Sequence, residues 1–140
     1  MPVEHLARSD VVTAMTDDSV QDLATMMDDE SVGSVVISDG DEPVGIVTDR
    51  DLAMHVIAAG ESPDGMTAED VMSTDLCTID HDGGFYEATE LMSEHGIRRL
   101  PVTDDDGGLA GIITADDLHE LLADEHQELA GVVQAQRPPY

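Results

Sequence analysis

The segment Gly-Ile-Val-Thr-Asp-Arg-Asp-Leu at residues 45–52 recurs as Gly-Ile-Ile-Thr-Ala-Asp-Asp-Leu at residues 111–118. Identity between the two halves is low outside this segment, but the apolar positions correspond, as Val35 and Leu100 do. Self-similarity of this kind predicts two copies of one structural unit. We expect repeat 1 over residues 1–60, a linker over 61–67, repeat 2 over 68–127 and a C-terminal tail over 128–140.

Each copy has the pattern of a mixed α/β unit. A short helix and a short strand precede a helix with apolar residues at helical spacing, and an Asp- and Gly-rich turn then joins two more strands. A final helix starts within the repeated segment. In repeat 1 we expect the short helix at 3–7, strands at 11–13, 32–38 and 43–48, and a last helix that buries Leu52, Val56 and Ile57 on one face. In repeat 2 we expect the short helix at 68–72, strands at 76–79, 97–103 and 109–114, a helix that ends at Gly96, and an apolar helix face over 118–129.

The charge of the chain is strongly one-sided. It has 32 acidic residues against five basic residues, a net charge of -27, and every basic residue is arginine. Such a surface repels itself in dilute buffer, whereas in molar salt the Debye length falls to about 3 Å. The composition resembles that of proteins from extreme halophiles, with an ordinary acidic protein as the alternative. Nucleic acid and anionic membranes require cationic surface, so we expect neither as a partner.

Other sequence features point to a cytoplasmic protein without catalytic chemistry. No apolar run approaches the roughly 18 residues of a membrane span, and the N-terminus lacks the pattern of a signal peptide. Cys77 is the single cysteine, so we expect no disulfide and no metal site. No nucleophile with a nearby base is evident, so we expect no enzyme activity.

A β-α-β-β-α unit repeated twice, with Gly-apolar-apolar-Thr-x-x-Asp-Leu at its last strand-to-helix junction, resembles the CBS domain, named after cystathionine β-synthase. Residues 96–102, Gly-Ile-Arg-Arg-Leu-Pro-Val, also resemble the family's segment before the turn. The resemblance covers residues 3 to about 125. It implies an α/β (α+β) fold of two βαββα repeats, which a pseudo-two-fold axis relates, with two clefts between their sheets. It also implies a homodimer that forms through the helices.

The pairs Thr48/Asp51 and Thr114/Asp117 have two interpretations. A Thr-x-x-Asp sequence ahead of an apolar helix is a capping box, which needs no ligand. A helix N-terminus after a strand is also a natural phosphate site. The resemblance implies that the Asp accepts the ribose hydroxyls of an adenine nucleotide and that the Thr contacts ribose or phosphate. The sequence leaves both interpretations open.

Arg98 and Arg99 are adjacent on a predicted strand and should point to opposite faces. They either pair with the abundant acids or bind phosphate through their bidentate guanidinium groups. The resemblance implies that they reach the phosphates in the cleft of Thr114 and Asp117.

The two clefts should differ, because repeat 1 has Gly33 and Ser34 where repeat 2 has its two arginines. The resemblance also implies that Val12 lines the arginine-bearing cleft and that Cys77 lines the cleft of Thr48 and Asp51.

These features predict a stand-alone regulatory CBS pair. By resemblance it would bind an adenosine-type ligand (AMP, ADP, ATP or S-adenosylmethionine), with no certain cofactor, and would signal in trans to an unknown effector protein. The alternative is a structural or dimerisation module without a physiological nucleotide, in which the Thr-x-x-Asp pairs only cap helices.

Overall fold

The computed structural model describes residues 1–139, which form two similar three-stranded sheets. In each sheet the short first strand pairs parallel with the second, and the second and third strands form an antiparallel hairpin. The strands of the first sheet are β1 (Thr13–Ala14), β2 (Ser34–Asp39) and β3 (Glu42–Thr48). Those of the second are β4 (Ile79–Asp80), β5 (Arg99–Thr103) and β6 (Leu109–Thr114). The predicted α/β repeat is confirmed.

The helices follow the same repeated order. They are α1 (Val20–Glu30), α2 (Asp49–Leu52), α3 (Ala68–Val71), α4 (Phe85–His95) and α5 (Ala115–Gln136). A single 3-10 turn, Val3–His5, opens the chain. Helix α4 ends at Gly96, whose φ of 62° is the left-handed conformation that glycine adopts without strain. Each sheet packs its aliphatic face into its own core, which contains Leu23 and Ile37 in one unit and Leu100 and Ile113 in the other.

The first turn of the chain packs on the second sheet. Val3 is fully buried in the second core, and its N–H donates to the Gly83 carbonyl at 2.7 Å. Arg8 and Ile112 then exchange two backbone hydrogen bonds, both of 2.9 Å. The N-terminal segment of repeat 1 therefore completes the unit of repeat 2.

Repeat 2 makes the reciprocal contact. Ala68 and Val71 of α3 are buried in the first core. Ser73 and Ile46 exchange backbone hydrogen bonds of 3.0 and 3.4 Å, the counterpart of the Arg8–Ile112 pair. This mutual exchange is the arrangement that a pseudo-two-fold relation between the repeats produces.

Three local features differ from the sequence-based expectations. The strands predicted at 11–13 and 76–79 begin at Thr13 and Ile79. Of the residues before them, Val12 still accepts the backbone N–H of Val36 at 3.0 Å, and both segments line cavities. After α2 the chain continues in a π-helical turn, Ala53–Ile57, which leaves Ile57 75% exposed, so its predicted burial was wrong. Helix α5 extends to Gln136, so most of segment 128–140 is helical. No helix of the described residues is long and apolar enough to cross a bilayer.

Candidate functional site

A cavity of about 360 Å³ lies between the two units, and we call it the Thr114 cavity. Strand β6 contributes Thr114 at its end, and the segment before β1 contributes Val12. The guanidinium-bearing side chains of Arg8 and Arg99 also line it. The remaining lining residues are Asp10, Val11, Glu30, Ser31, Val32, Gly33, Ser34, Val36, Ile112 and Asp116. The cavity therefore combines an apolar side, a helix N-terminus and two cations.

A second cavity, of about 300 Å³, is its counterpart, and we call it the Cys77 cavity. Cys77 occupies the place that Val12 has in the first cavity, and Ser73 occupies the place of Arg8. Arg99 lines this cavity too. Its other lining residues are Ile46, Asp75, Leu76, His95 and Ile97. Both volumes lie at the lower end of the range of small-molecule sites, about 300–1,000 Å³.

Arg99 is half-buried and has no partner in the described part of the chain. Across residues 1–139, its guanidinium makes no hydrogen bond and no ion pair with any carboxylate. Its Nη2 lies close to the backbone of Gly33 in the other unit, since a Cβ built on Gly33 would be 3.0 Å away. The Asp49 carboxylate is also close, since its Oδ2 would be 3.2 Å from the same Cβ, but it forms no ion pair with Arg99. The guanidinium is therefore available to an anion that enters either cavity.

Arg98 behaves differently from its neighbour. Its Nη2 donates to Asp116 Oδ1 at 3.2 Å, and both side chains are largely exposed. It lines neither the Thr114 cavity nor the Cys77 cavity. Arg98 thus does not reach the cleft that Arg99 lines, because successive residues of an extended chain point to opposite faces.

The carboxylate of Asp117 is engaged on both oxygens. Oδ2 accepts the backbone N–H of Thr114 at 2.9 Å and its hydroxyl at 3.0 Å, while the Thr114 hydroxyl accepts the Asp117 N–H at 3.2 Å. Oδ1 faces Arg8 Nη2 at 3.4 Å. The capping box is therefore complete at α5, and Asp117 itself is buried and absent from the lining of the Thr114 cavity.

Thr48 and Asp51 form an equivalent box at α2. Asp51 Oδ2 accepts the Thr48 N–H at 2.9 Å, and Oδ1 lies 3.9 Å from His55 Nε2. Neither residue lines the Cys77 cavity, so the expected grouping with Cys77 is not seen. The two clefts differ here, since Thr114 lines its cavity and Thr48 does not. The helices after them differ too, because α5 continues in α-helical form whereas α2 passes into a π-helical turn.

Cys77 is half-buried, and its surroundings keep the thiol protonated. Burial raises its pKa first, and the nearby negative charge of Glu94 adds to the increase. A thiol with a raised pKa is a poor nucleophile and a poor metal ligand. Cys77 therefore acts as a small apolar lining residue. Within residues 1–139, no three metal-ligating side chains converge on one point.

The other large cavities are acidic. One of about 420 Å³ is lined by Glu4, His81 and the aspartates at 104, 105 and 106. Another, of about 530 Å³, lies between the two hairpin turns and is lined by five carboxylates. Both would repel a phosphate, so the Thr114 and Cys77 cavities are the better candidates for an anionic ligand.

Sequence reasoning missed Arg8. We grouped the first residues with repeat 1, yet Arg8 pairs with Ile112 and lines the Thr114 cavity. The sequence did contain a signal for it, because Val12 was expected to line that cavity and Arg8 lies only four residues before Val12. Gly33 and Ser34 also line this cavity. The sequence had singled them out only because they stand in repeat 1 where repeat 2 has Arg98 and Arg99.

Two segments of the chain, residues 3–58 and 68–124, match the family model for the CBS domain. The chain belongs to the CBS domain family. Since the two matches follow one another and the units exchange their first turns, the fold is a tandem CBS pair.

Related proteins support the same architecture. An uncharacterized protein of Methanopyrus kandleri is 43% identical over 76 residues, which span 54% of this chain and only 39% of that protein. A CBS domain protein of Burkholderia ambifaria has a TM-score of 0.79 and 30% identity, covering 87% of this chain and 93% of its own. The CBS pair of protein MJ0100, solved with 5′-methylthioadenosine and S-adenosyl-L-methionine, has a TM-score of 0.81 and 25% identity, covering 89% and 98%.

Proposed function

We propose that this CBS pair is a regulatory module that binds an adenosine-type ligand in the Thr114 cavity. The observation that carries the proposal is Arg99, a half-buried guanidinium without a partner in residues 1–139 of a chain whose net charge is -27. Burying a cation is costly unless an anion pairs with it. A ligand phosphate would supply that anion.

The cavity offers complementary groups to both the purine and the phosphates of a phosphorylated adenosine. The purine would lie against the apolar side that Val12, Val36 and Ile112 form. The phosphates would lie near Arg99, Arg8 and the N–H groups at the start of α5. AMP, ADP or ATP therefore suits this cavity better than S-adenosylmethionine, whose sulfonium is cationic. The MJ0100 pair, solved with adenosine-containing ligands, supports the general ligand class.

Ligand binding would change the partners of Arg8. In the structure Arg8 Nη2 faces Asp117 Oδ1 at 3.4 Å, and the Arg8 side chain is largely exposed. If Arg8 turns to the phosphates, Oδ1 loses its partner while Oδ2 keeps its capping bonds. Asp117 is buried and does not line the cavity in this structure, so the movement of Arg8 must also open Oδ1 to a ribose hydroxyl. The capping box and the predicted ribose contact of Asp117 are thus compatible, because they use different oxygens.

Calorimetric titration in concentrated KCl tests the ligand class. We expect saturable heats for AMP, ADP or ATP, weaker binding of adenosine, and still weaker binding of S-adenosylmethionine. Inorganic phosphate at the same concentration serves as the control for a general anion effect. If no adenosine compound binds, the chain is a structural or dimerisation module in which the Thr-x-x-Asp pairs only cap helices. The observation that favours this alternative is that both capping boxes are complete.

Helix α5 supports a further part of the proposal, a homodimer that passes the ligand signal to a partner protein. Leu118 is buried, but the stripe it begins continues along the helix with exposed apolar side chains at Leu122, Leu129, Val132 and Val133. Residues 122–136 are exposed on all sides. A free helix of that length, with a glycine and two adjacent valines near its end, is marginal in water. We therefore propose that the stripes of two copies cover each other.

A charge placed on the stripe tests the dimer. Burying one leucine side chain stabilises by about 1.5–3 kcal/mol, and each dimer buries two copies of Leu129. Leu129→Asp should therefore convert the dimer to monomer in sedimentation velocity. Gln127→Asp, which adds the same charge on the opposite side of α5, should leave the dimer intact. A wild-type chain that sediments as a monomer at every KCl concentration rules the dimer out.

A further inference from the structure

Arg99 is shared by the two cavities. It is the first residue of β5 and lies opposite Thr114 in the sheet register, and its side chain lines both the Thr114 cavity and the Cys77 cavity. Its Nη2 lies against Gly33 of the first unit, so the guanidinium sits where the two units meet. A guanidinium carries a single positive charge, so two phosphates that shared Arg99 would be only partly compensated and would repel each other.

The two cavities differ in the other cation near that shared group. Arg8 lines the Thr114 cavity, and its backbone pairs with Ile112. The equivalent position of the Cys77 cavity is Ser73, whose backbone pairs with Ile46 in the same way. The Thr114 cavity can therefore offer two guanidinium groups, whereas the Cys77 cavity depends on Arg99.

The acidic residues around the cavities do not reverse this order. Asp116 of the Thr114 cavity is paired with Arg98, and Asp10 and Glu30 are exposed at its rim. Salt screens exposed carboxylates, whereas it weakens a direct, half-buried guanidinium contact much less. The Cys77 cavity has Asp75 at its rim, and besides Arg99 its other titratable lining residues are His95 and Cys77, with the charge of Glu94 near the thiol.

We propose that this single arginine makes the two cavities compete for anions, so that one chain holds one phosphorylated ligand, in the Thr114 cavity. This inference rests on the proposed nucleotide binding and adds its regulation. Occupation of the Thr114 cavity draws Arg99 away from the Cys77 cavity, which is then left suited to an uncharged ligand. The bound state of the pair is therefore asymmetric, although the fold repeats.

Ligand stoichiometry with ATP as the probe tests the competition. Calorimetry at one fixed, stabilising KCl concentration should give one ATP per wild-type chain. Ser73→Arg, which gives the Cys77 cavity the counterpart of Arg8, should raise the ratio to two. Ser73→Gln, of similar bulk without charge, should leave it at one. Ser73 is exposed, so these variants should fold, which their melting curves verify.

Alkylation of Cys77 provides a second measurement on the wild-type chain, whose single cysteine makes it specific. Iodoacetate and iodoacetamide form the same type of thioether with loss of iodide, and they differ mainly in that only iodoacetate is an anion. Saturating ATP should lower the iodoacetate-to-iodoacetamide rate ratio roughly fivefold, the effect of losing one favourable charge contact at a partly exposed site.

The outcomes separate the inference from the function on which it rests. Two equal, independent ATP sites in the wild type overturn the competition and leave nucleotide binding intact. A Ser73→Arg chain that still binds one ATP, or a rate ratio that ATP does not change, also overturns it. The absence of any saturable ATP binding in the wild type overturns the proposed function itself.

Discussion

Replacing Arg99 with alanine should weaken the binding of a phosphorylated adenosine and leave the fold nearly unchanged. In the structure the guanidinium is half-buried, lines the Thr114 cavity and has no partner within residues 1–139. Its removal therefore breaks no ion pair of the protein. The neighbouring Arg98→Ala is the matched control, because it removes the same group from an exposed pair with Asp116.

The expected magnitudes differ between the two variants. A hydrogen bond to a charged group contributes about 1.5–3 kcal/mol, so Arg99→Ala should raise the Kd of ATP roughly 10- to 150-fold. An exposed ion pair contributes about 0–1 kcal/mol, and Arg98 lies outside the cavity, so Arg98→Ala should change the Kd of ATP very little. Adenosine has no phosphate, so neither variant should alter its affinity by much.

The assay is calorimetric titration of both variants with ATP and with adenosine at one KCl concentration. The informative quantity is the ratio of the ATP Kd to the adenosine Kd, because general damage to the fold changes both constants together. If Arg99→Ala weakens ATP and adenosine equally, Arg99 is a structural residue. In that case the phosphate end of the site has been assigned wrongly.

Three further predictions concern stability. The melting temperature should rise between low and molar KCl, because salt screens the self-repulsion of a chain with net charge -27, and a flat or falling curve removes the halophilic interpretation. Asp117→Ala should destabilise the fold by about 0.5–2 kcal/mol through loss of the α5 cap, whereas Asp117→Asn should keep most of the cap and still weaken ATP binding, which denaturant melts and calorimetry distinguish. Hydrogen bonds to Asp105 and to Glu4 raise the pKa of His81 to about 9 from 6.5, so its stabilising contribution is complete below pH 6.5 and is lost as the pH rises through 9. The wild-type melting temperature should therefore fall over this interval more than that of His81→Gln, and parallel curves would contradict the role of His81.

The repeated fold could be predicted because its signals are local. The octapeptide that ends at Leu52 and at Leu118 marks a strand-to-helix junction, and the capping boxes seen there follow directly from Thr and Asp at that spacing. Gly96 marks a helix end for the same kind of local reason. Such features need only neighbouring residues, so a single sequence reveals them.

The composition of the cavities could be predicted only in part, because it depends on contacts between distant segments. Val12, Arg99 and Thr114 come together as the resemblance implied, but Arg8 joins them only because the first turn of the chain packs on the other unit. Ile57 is exposed in the π-helical turn after α2. A π-helix has more residues per turn than an α-helix, and the spacing of apolar residues in the sequence does not predict this change. The partner of Asp117 Oδ1 is likewise a distant residue, Arg8, which lies 109 positions away in the sequence.

If the Thr114 cavity binds a nucleotide as proposed, the position of Arg99 accounts for anion recognition by a chain this acidic. The exposed Arg98 is compensated locally by Asp116, and in concentrated salt such an exposed pair contributes little to binding. An arginine that is to bind phosphate must therefore be held away from carboxylates and partly out of the solvent, where the interaction survives screening. Arg99 is half-buried at the junction of the two units and forms no ion pair within residues 1–139, although the Asp49 carboxylate also lies beside Gly33. Because Arg99 is the one half-buried arginine within residues 1–139, the proposed nucleotide binding and the proposed limit of one phosphorylated ligand per chain rest on the same group.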